Sequence, residues 1–343
     1  MADTENDILP FAYGMPQCSG VIRSVPEDFR VDEIPAFEPD GEGEHILLHI
    51  EKRDSNTDWI AGLLARCADV SRADVSYAGL KDRHAVTRQW FSIRLAGRPE
   101  PDWQSIESDE CRILDSARHS RKLRIGALKG NRFNIRVRSF QGDVDGLQAT
   151  LNAIALYGVP NYYGEQRFGT RDSNLDSARA LFSGELKRVK RQKRGFYLSA
   201  ARSFLFNRVL AARVAASNWN KPLAGERMML DGTRSSFLAE EIDDLLLDRH
   251  DRMDIHVSGP LWGRGESMVT GEAAKLEQEV LVNLGFWCQG LEQFGLKMER
   301  RALRMPVSSL EWSLEGDLLD LAFTLPKGCF ATTVLRECIN YRQ

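Results

Sequence analysis

Asp82 stands between Lys81 and Arg83, with His84 two positions on, in the run Gly79-Leu80-Lys81-Asp82-Arg83-His84-Ala85-Val86-Thr87. A carboxylate flanked by cations stays ionised at neutral pH, and an ionised carboxylate can serve as a nucleophile or a base. The same spacing also fits a surface loop with a local ion pair, since such pairs are common and individually weak. The neighbouring segments say where the side chain is held. Val75-Ser76-Tyr77-Ala78 reads as a short strand ended by Gly79, and Gln89 to Leu95 reads as another. Asp82 is therefore expected on a loop between two buried elements, a common setting for a reactive side chain.

Several other chemistries lack their residues. No Gly-x-x-x-x-Gly-Lys-Ser/Thr loop or Gly-x-Ser-x-Gly elbow occurs, and Gly263-Arg264-Gly265 lacks the third glycine of a dinucleotide fingerprint. His45 and His49 would share one face of a strand, but no third metal ligand is near in sequence, so no metal site is expected. What remains beside Asp82 is a set of aromatic residues near cations. Phe29, Phe133 and Phe330 fall at strand or loop edges where a base can stack, and Asn131 can read a base edge; each also fits an ordinary core or turn role.

The 343 residues are 43% hydrophobic and 28% charged, the composition of a soluble globular chain with room for two domains. No apolar run approaches a membrane span, and the acidic start Met1 to Asp7 lacks the basic and apolar regions of a signal peptide. The six cysteines are scattered without a Cys-x-x-Cys pair, which suggests reduced thiols in the cytoplasm. A net charge of −3 conceals strong segregation. Residues 1–44 hold eleven acidic and two basic residues, whereas 112–138 hold nine Lys/Arg and one Asp, and 185–213 hold nine Lys/Arg and one Glu. Phosphate binding depends on local potential, so two basic zones suit a nucleic-acid partner, although a charge run is also what a solvated face looks like.

The elements that must position these residues read as a β-rich start, a helical middle and a β-rich end, fitting a core interrupted by an inserted domain. Strands are expected at Ser19 to Val25, Phe29 to Ile34 and His45 to Ile50. A helix follows, with Trp59, Ile60, Leu63, Leu64 and Cys67 at helical spacing and Asn56 or Thr57 as its cap. Alternation in Arg121 to Ile125 and in Arg132 to Ser139 predicts two strands, each with an apolar and a cationic face; joined through Gly126 to Asn131 they would form a basic hairpin. Helices are expected at about Asp145 to Tyr157, Ser199 to Ser217, Ala239 to Leu247 and Gly271 to Leu284. Leu318 to Leu325 reads as a strand, with a final helix after Pro326 to Thr332.

Gly79 to Thr87, with its Lys-Asp-Arg-His core, resembles the catalytic motif of the TruD family of tRNA pseudouridine synthases. Pro26-Glu27-Asp28-Phe29, Gly126 to Phe133, Val159 to Gly169 and Pro326 to Asn340 resemble its other motifs in the same order. The likeness spans nearly the whole chain and is weakest between about 215 and 305. It implies an α+β fold, with a mixed, largely antiparallel pseudouridine-synthase core sheet and helices, interrupted by a mainly helical α/β insertion domain that forms a cleft with the core for folded tRNA. The implied division is 1–158 for the first part of the catalytic core, 159–305 for the insertion and 306–343 for the last part of the core.

The resemblance also implies roles. Asp82 would be the nucleophile that detaches the base of a uridine so that it rejoins through C5, with attack on sugar or base left open. Arg23 falls at its basic partner, where some relatives have Lys. Phe29, Asn131 and Phe330 match positions that contact the target uridine, and Phe133 an aromatic lining the pocket. Lys81, Arg83, His84, Lys129, Arg136, Arg138 and Arg167 are expected to meet RNA. No metal or organic cofactor is implied. The expected partner is tRNA, modified at uridine 13 of the D arm, by a monomer in the cytoplasm with no membrane or obligatory protein partner. A non-catalytic RNA-binding protein or folding chaperone on the same scaffold is the alternative. A glycoside hydrolase would need a second acid opposite Asp82, and none is evident.

Overall fold

A computed structural model describes residues 9–169 and 172–343; the acidic start lies outside the described residues. In chain order the first elements are β1 (Cys18–Ile22), β2 (Phe29–Pro35), β3 (His45–Arg53), α1 (Thr57–Cys67), β4 (Val75–Tyr77), β5 (Val86–Arg94), β6 (Cys111–His119), β7 (Leu128–Gly142) and α2 (Val144–Tyr157). The middle holds β8 (Val159–Pro160), α3 (Ser173–Phe182), α4 (Arg191–Ala215), β9 (Glu226–Leu230), β10 (Ser236–Ala239), α5 (Asp244–Asp251), β11 (Ile255–His256), β12 (Ser258–Leu261), α6 (Gly271–Leu281) and α7 (Gly285–Gln293). It continues through β13 (Glu299–Ala302) and β14 (Arg304–Met305) to β15 (Ser308–Glu315), β16 (Leu318–Pro326), α8 (Ala331–Cys338) and β17 (Asn340–Arg342).

The chain divides into two compact units. The first comprises Gln17–Gln148, Val307–Ala331 and Ile339–Gln343. It is built on a ten-stranded sheet ordered β15-β16-β7-β2-β5-β3-β6, with β1 pairing β7 and β17, and β4 pairing β5. Only β2 with β5 and β1 with β17 run parallel; the other pairs are antiparallel, so the sheet is mixed and largely antiparallel.

Strand alternation gives this sheet two chemically different faces. Val31 pairs with Phe133, which pairs with Phe323, while Phe29 and Leu321 both sit opposite Ile135, so one face is a continuous buried apolar layer. The same face of β3 and β5 carries Ile46, Leu48, Ile50, Phe91 and Ile93, which pack against Ile60, Ala61, Leu64 and Ala65 of α1. On the other face Arg30 lies beside Asn134, and Arg136 beside Asp320.

The expected basic hairpin does not form. Arg121 to Ile125 is irregular; Leu123 is buried as a plug on Leu47 and Trp90, and Ile125 is exposed. The strand before β7 is instead β6, which pairs with β3. The cationic side chains of β7 are also not an open platform. Arg132 pairs with Glu311, Arg136 with Asp320 and Arg138 with Asp28.

The second unit comprises residues up to Pro16, Ala149–Pro306 and Thr332–Cys338. Helices α3, α4, α6 and α7 share a core that includes Leu175, Ala200, Phe204, Leu205, Leu281, Trp287 and Leu291. A small sheet ordered β10-β9-β11 completes it. The helix expected from Ala239 begins later, at Asp244, because Asp243 caps it by accepting from the Leu246 N–H at 2.8 Å, while Ala239 belongs to β10.

Candidate active site

Asp82 sits between β4 and β5, on the loop expected for it, and three elements tie that loop down. The Gln89 side chain on β5 donates to Gly79 O at 3.1 Å, and the Thr57 hydroxyl at the start of α1 accepts from the Lys81 N–H at 3.1 Å. From β3, the Lys52 ammonium donates to Asp82 O at 2.7 Å. A loop held from a helix and two strands keeps its side chain in a narrow range of positions.

The carboxylate meets Arg23, whose Nη2 donates to Asp82 Oδ2 at 3.2 Å. Arg23 follows β1 and adopts a left-handed backbone, with φ +59°. For a side-chain-bearing residue this conformation is costly and is found where a side chain must be aimed. The aim here is double, since the guanidinium also lies 4.1 Å from the centroid of the Phe29 ring. Phe29 is in edge contact with Phe133, at 6.2 Å between centroids. Both rings are almost wholly buried. Asp82 keeps 41% of its side-chain surface exposed against 12% for Arg23, so the carboxylate is accessible and its partner is packed.

Asn131 pairs with Glu33 in the β2–β7 register and shares the face of Phe133. Its carboxamide oxygen is buried without a partner among the described residues. Buried polar atoms are normally satisfied, so an orphaned acceptor marks a place for a donor from outside. Phe330 lies four residues beyond β16 and is partly exposed.

The remaining sequence-predicted residues separate. Lys81 does not neutralise Asp82: its ammonium bonds Glu33 Oε2 at 2.6 Å, and both side chains are almost fully buried. Arg83 and His84 are exposed on the same loop, His84 Nδ1 lying 2.9 Å from Asp54 Oδ1. Lys129 is exposed and alternates in phase with Asn131 and Phe133. Arg136 and Arg138 occupy the opposite sheet face. Arg138 bonds both oxygens of Asp28, a residue only 1% exposed. Burial pushes that carboxyl up, but the hydrogen bonds from Arg138 and the Val25 N–H, together with the Arg138 and Arg136 charges, hold Asp28 below the ordinary range. Arg167 belongs to the second unit, where it donates to the Ser199 hydroxyl at 3.1 Å and lies over the Tyr163 ring.

Sequence reasoning missed Lys52, which is fully buried beneath the Asp82 loop. It also did not separate the two basic zones by their pairing. In the second unit Lys187, Arg188, Lys190, Arg191, Lys193 and Arg194 are all exposed, with no side-chain partner among the described residues. Phe196, 53% exposed, projects from the same stretch of α4. Among the described residues, no group of three or more His, Cys, Asp or Glu is arranged to hold a metal ion, and no helix is long and apolar enough to cross a membrane.

The first unit is a mixed, largely antiparallel sheet carrying an accessible carboxylate paired with a packed guanidinium that lies over an aromatic ring. Comparison with known proteins narrows the class. The family model described as tRNA pseudouridine synthase D (TruD) matches residues 6–188 and 173–338. Relatives named tRNA pseudouridine synthase D include one from Methylococcus capsulatus, 50% identical over 98% of this chain and 95% of its own. Another, from Aeromonas salmonicida, is 48% identical over 97% of this chain and 94% of its own. A solved structure titled putative tRNA pseudouridine synthase D, from Methanosarcina mazei, shares the fold at a TM-score of 0.75, with 24% identity over 96% of this chain and 95% of that one. The chain belongs to the tRNA pseudouridine synthase D family and is an isomerase.

Proposed function

We propose that this enzyme converts a uridine of tRNA to pseudouridine, at uridine 13 of the D arm, with Asp82 as nucleophile. Asp82 attacks the uridine, the bond from ribose C1′ to N1 breaks, and the detached uracil turns. A bond then forms between C1′ and C5; C5 loses its proton, N1 gains one, and the carboxylate is released, so the net change is an isomerisation. Arg23 aims the carboxylate through its hydrogen bond. The observation that carries this reading is the Arg23–Asp82 pair, whose guanidinium lies over Phe29, a residue on the sheet face that further along holds Asn131 with its orphaned acceptor. A flipped uracil has an N–H edge suited to that acceptor and a flat face suited to aromatic rings. Phe29 and Phe133 back the pocket, and Phe330 is the exposed ring available for stacking. Arg83, His84 and Lys129 are the exposed side chains offered near the site to RNA phosphates, with Arg167 a further candidate in the second unit. Arg136 and Arg138 are assigned to the ion pairs that occupy them.

The unpaired basic stretch 187–194 supports a polyanionic partner for an otherwise acidic protein. In this reading the protein acts in the cytoplasm as a monomer, with the core at 1–158 and 306–343 and the insertion at 159–305. Asp82→Asn, assayed for RNA binding and isomerisation together, tests it. The expected variant binds tRNA with little change and forms no pseudouridine. Persistent isomerisation would remove Asp82 from the mechanism. Wild-type protein that binds but never isomerises would favour a chaperone.

A further inference from the structure

Lys52 lies near the end of β3 with none of its surface exposed. A lysine is almost never buried this completely without a carboxylate partner. Here the ammonium donates to two main-chain oxygens, Ser55 O at 2.6 Å and Asp82 O at 2.7 Å. Burial pushes it down to about 8, and the charge of Asp82 is the next influence, acting in the opposite direction. The fold thus tolerates a poorly solvated cation at this point. Carbonyl oxygens alone do not call for one, since neutral donors satisfy them elsewhere on the same loop: Gln89 serves Gly79 O. The charged tie falls on the peptide of the residue that carries the reactive carboxylate.

We propose that Lys52 is a positioning residue for the reaction: its ammonium fixes the Asp82 main chain so that the carboxylate stays at Arg23, and adds a second cation to the surroundings of that carboxylate. The proposal rests on Asp82 as nucleophile. It also separates labour among the cations, since Lys81, adjacent in sequence, is committed to Glu33, whereas Lys52, thirty positions away, reaches Asp82.

The test is Lys52→Met, similar in length but uncharged and without donors, together with the pH dependence of the wild-type enzyme. Loss of a well-held reactive group costs on the order of 30- to 100-fold. The expected variant therefore loses about that much kcat, while KM for tRNA moves less than about threefold. In the wild type, kcat falls as pH passes about 8 and the ammonium discharges. Stability should move the other way between about 8 and 10.5, because the unfolded chain still holds a proton that the folded chain has released. The Met variant lacks both trends. A lysine that merely braced the fold would leave kcat level across that interval. The proposal is overturned if Lys52→Met keeps kcat within about threefold of wild type, or if wild-type kcat stays flat through pH 9. Should the variant not fold, the wild-type profile alone decides. Asp82→Asn separates the two levels: if it still isomerises, the nucleophile assignment fails, and if it is inactive beside a fully active Lys52→Met, only the role of Lys52 fails.

Discussion

Replacing Arg23 with Met should cost the enzyme far more activity than stability. One hydrogen-bonded charge contact links its guanidinium to Asp82, at 3.2 Å. Coulomb attraction at that separation is about 5 kcal/mol at an effective dielectric of ~20 and about 1.3 kcal/mol in bulk water. With Asp82 41% exposed, the working value lies towards the watery end, at about 2–3 kcal/mol in the closed complex, where bound RNA displaces solvent. At ~1.4 kcal/mol per decade, kcat/KM should fall about 30- to 150-fold. The free protein should lose no more than about 1 kcal/mol, because a half-exposed ion pair contributes little to folding. Release of tritium from uridine labelled at C5 in a tRNA transcript measures the rate, since C5 must shed its hydrogen to bond C1′, and urea unfolding measures the stability. Activity within threefold of wild type would show that Arg23 does not orient the carboxylate. A loss of activity matched by a loss of several kcal/mol in folding would make Arg23 a structural residue.

Arg138 should govern acid stability and leave turnover unaltered. Asp28 is held below its ordinary value, so it contributes stability that is present above about pH 4 and lost as pH falls through its lower folded value. Arg138→Ala should therefore unfold more easily at pH 7, with a difference from wild type that shrinks in acid; an equal difference at pH 3 and pH 7 would refute the assignment. Changing Lys187, Arg191 and Arg194 to Ala should flatten the salt dependence of tRNA binding, by about 0.7 to 0.9 in the slope of log affinity against log salt for each phosphate that is no longer neutralised. An unchanged slope would show that RNA does not reach that stretch of α4.

Legibility in the sequence followed the range of the interactions involved. The strands around Asp82 and the helix α1 carry their own periodicity, so they could be read from neighbouring residues, and the family motifs supplied Arg23 as partner. Arg121 to Ile125 has the alternation of a strand, yet Leu123 is buried as a loop residue against Leu47 and Trp90, and alternation cannot distinguish a strand from a plug. The cationic face of β7 was legible. Its neutralisation was not, because the carboxylates arrive from positions 28, 311 and 320. Lys52 lies beyond the expected strand His45 to Ile50 and carried no signal, because its burial depends on contact with the Asp82 loop thirty positions away.

Strand β1 carries Arg23 just beyond its end and lies between β7 and β17, so Asn340–Arg342 complete the sheet beside it. Ribosomal synthesis delivers Arg23, Phe29 and Asp82 early and this last strand more than three hundred residues after β1. During that interval β1 has an open edge, an invitation to wrong pairing that the nascent chain must survive. The strand that leads to Arg23 is therefore held first by β7 alone, and its second edge closes only when Asn340–Arg342 arrive.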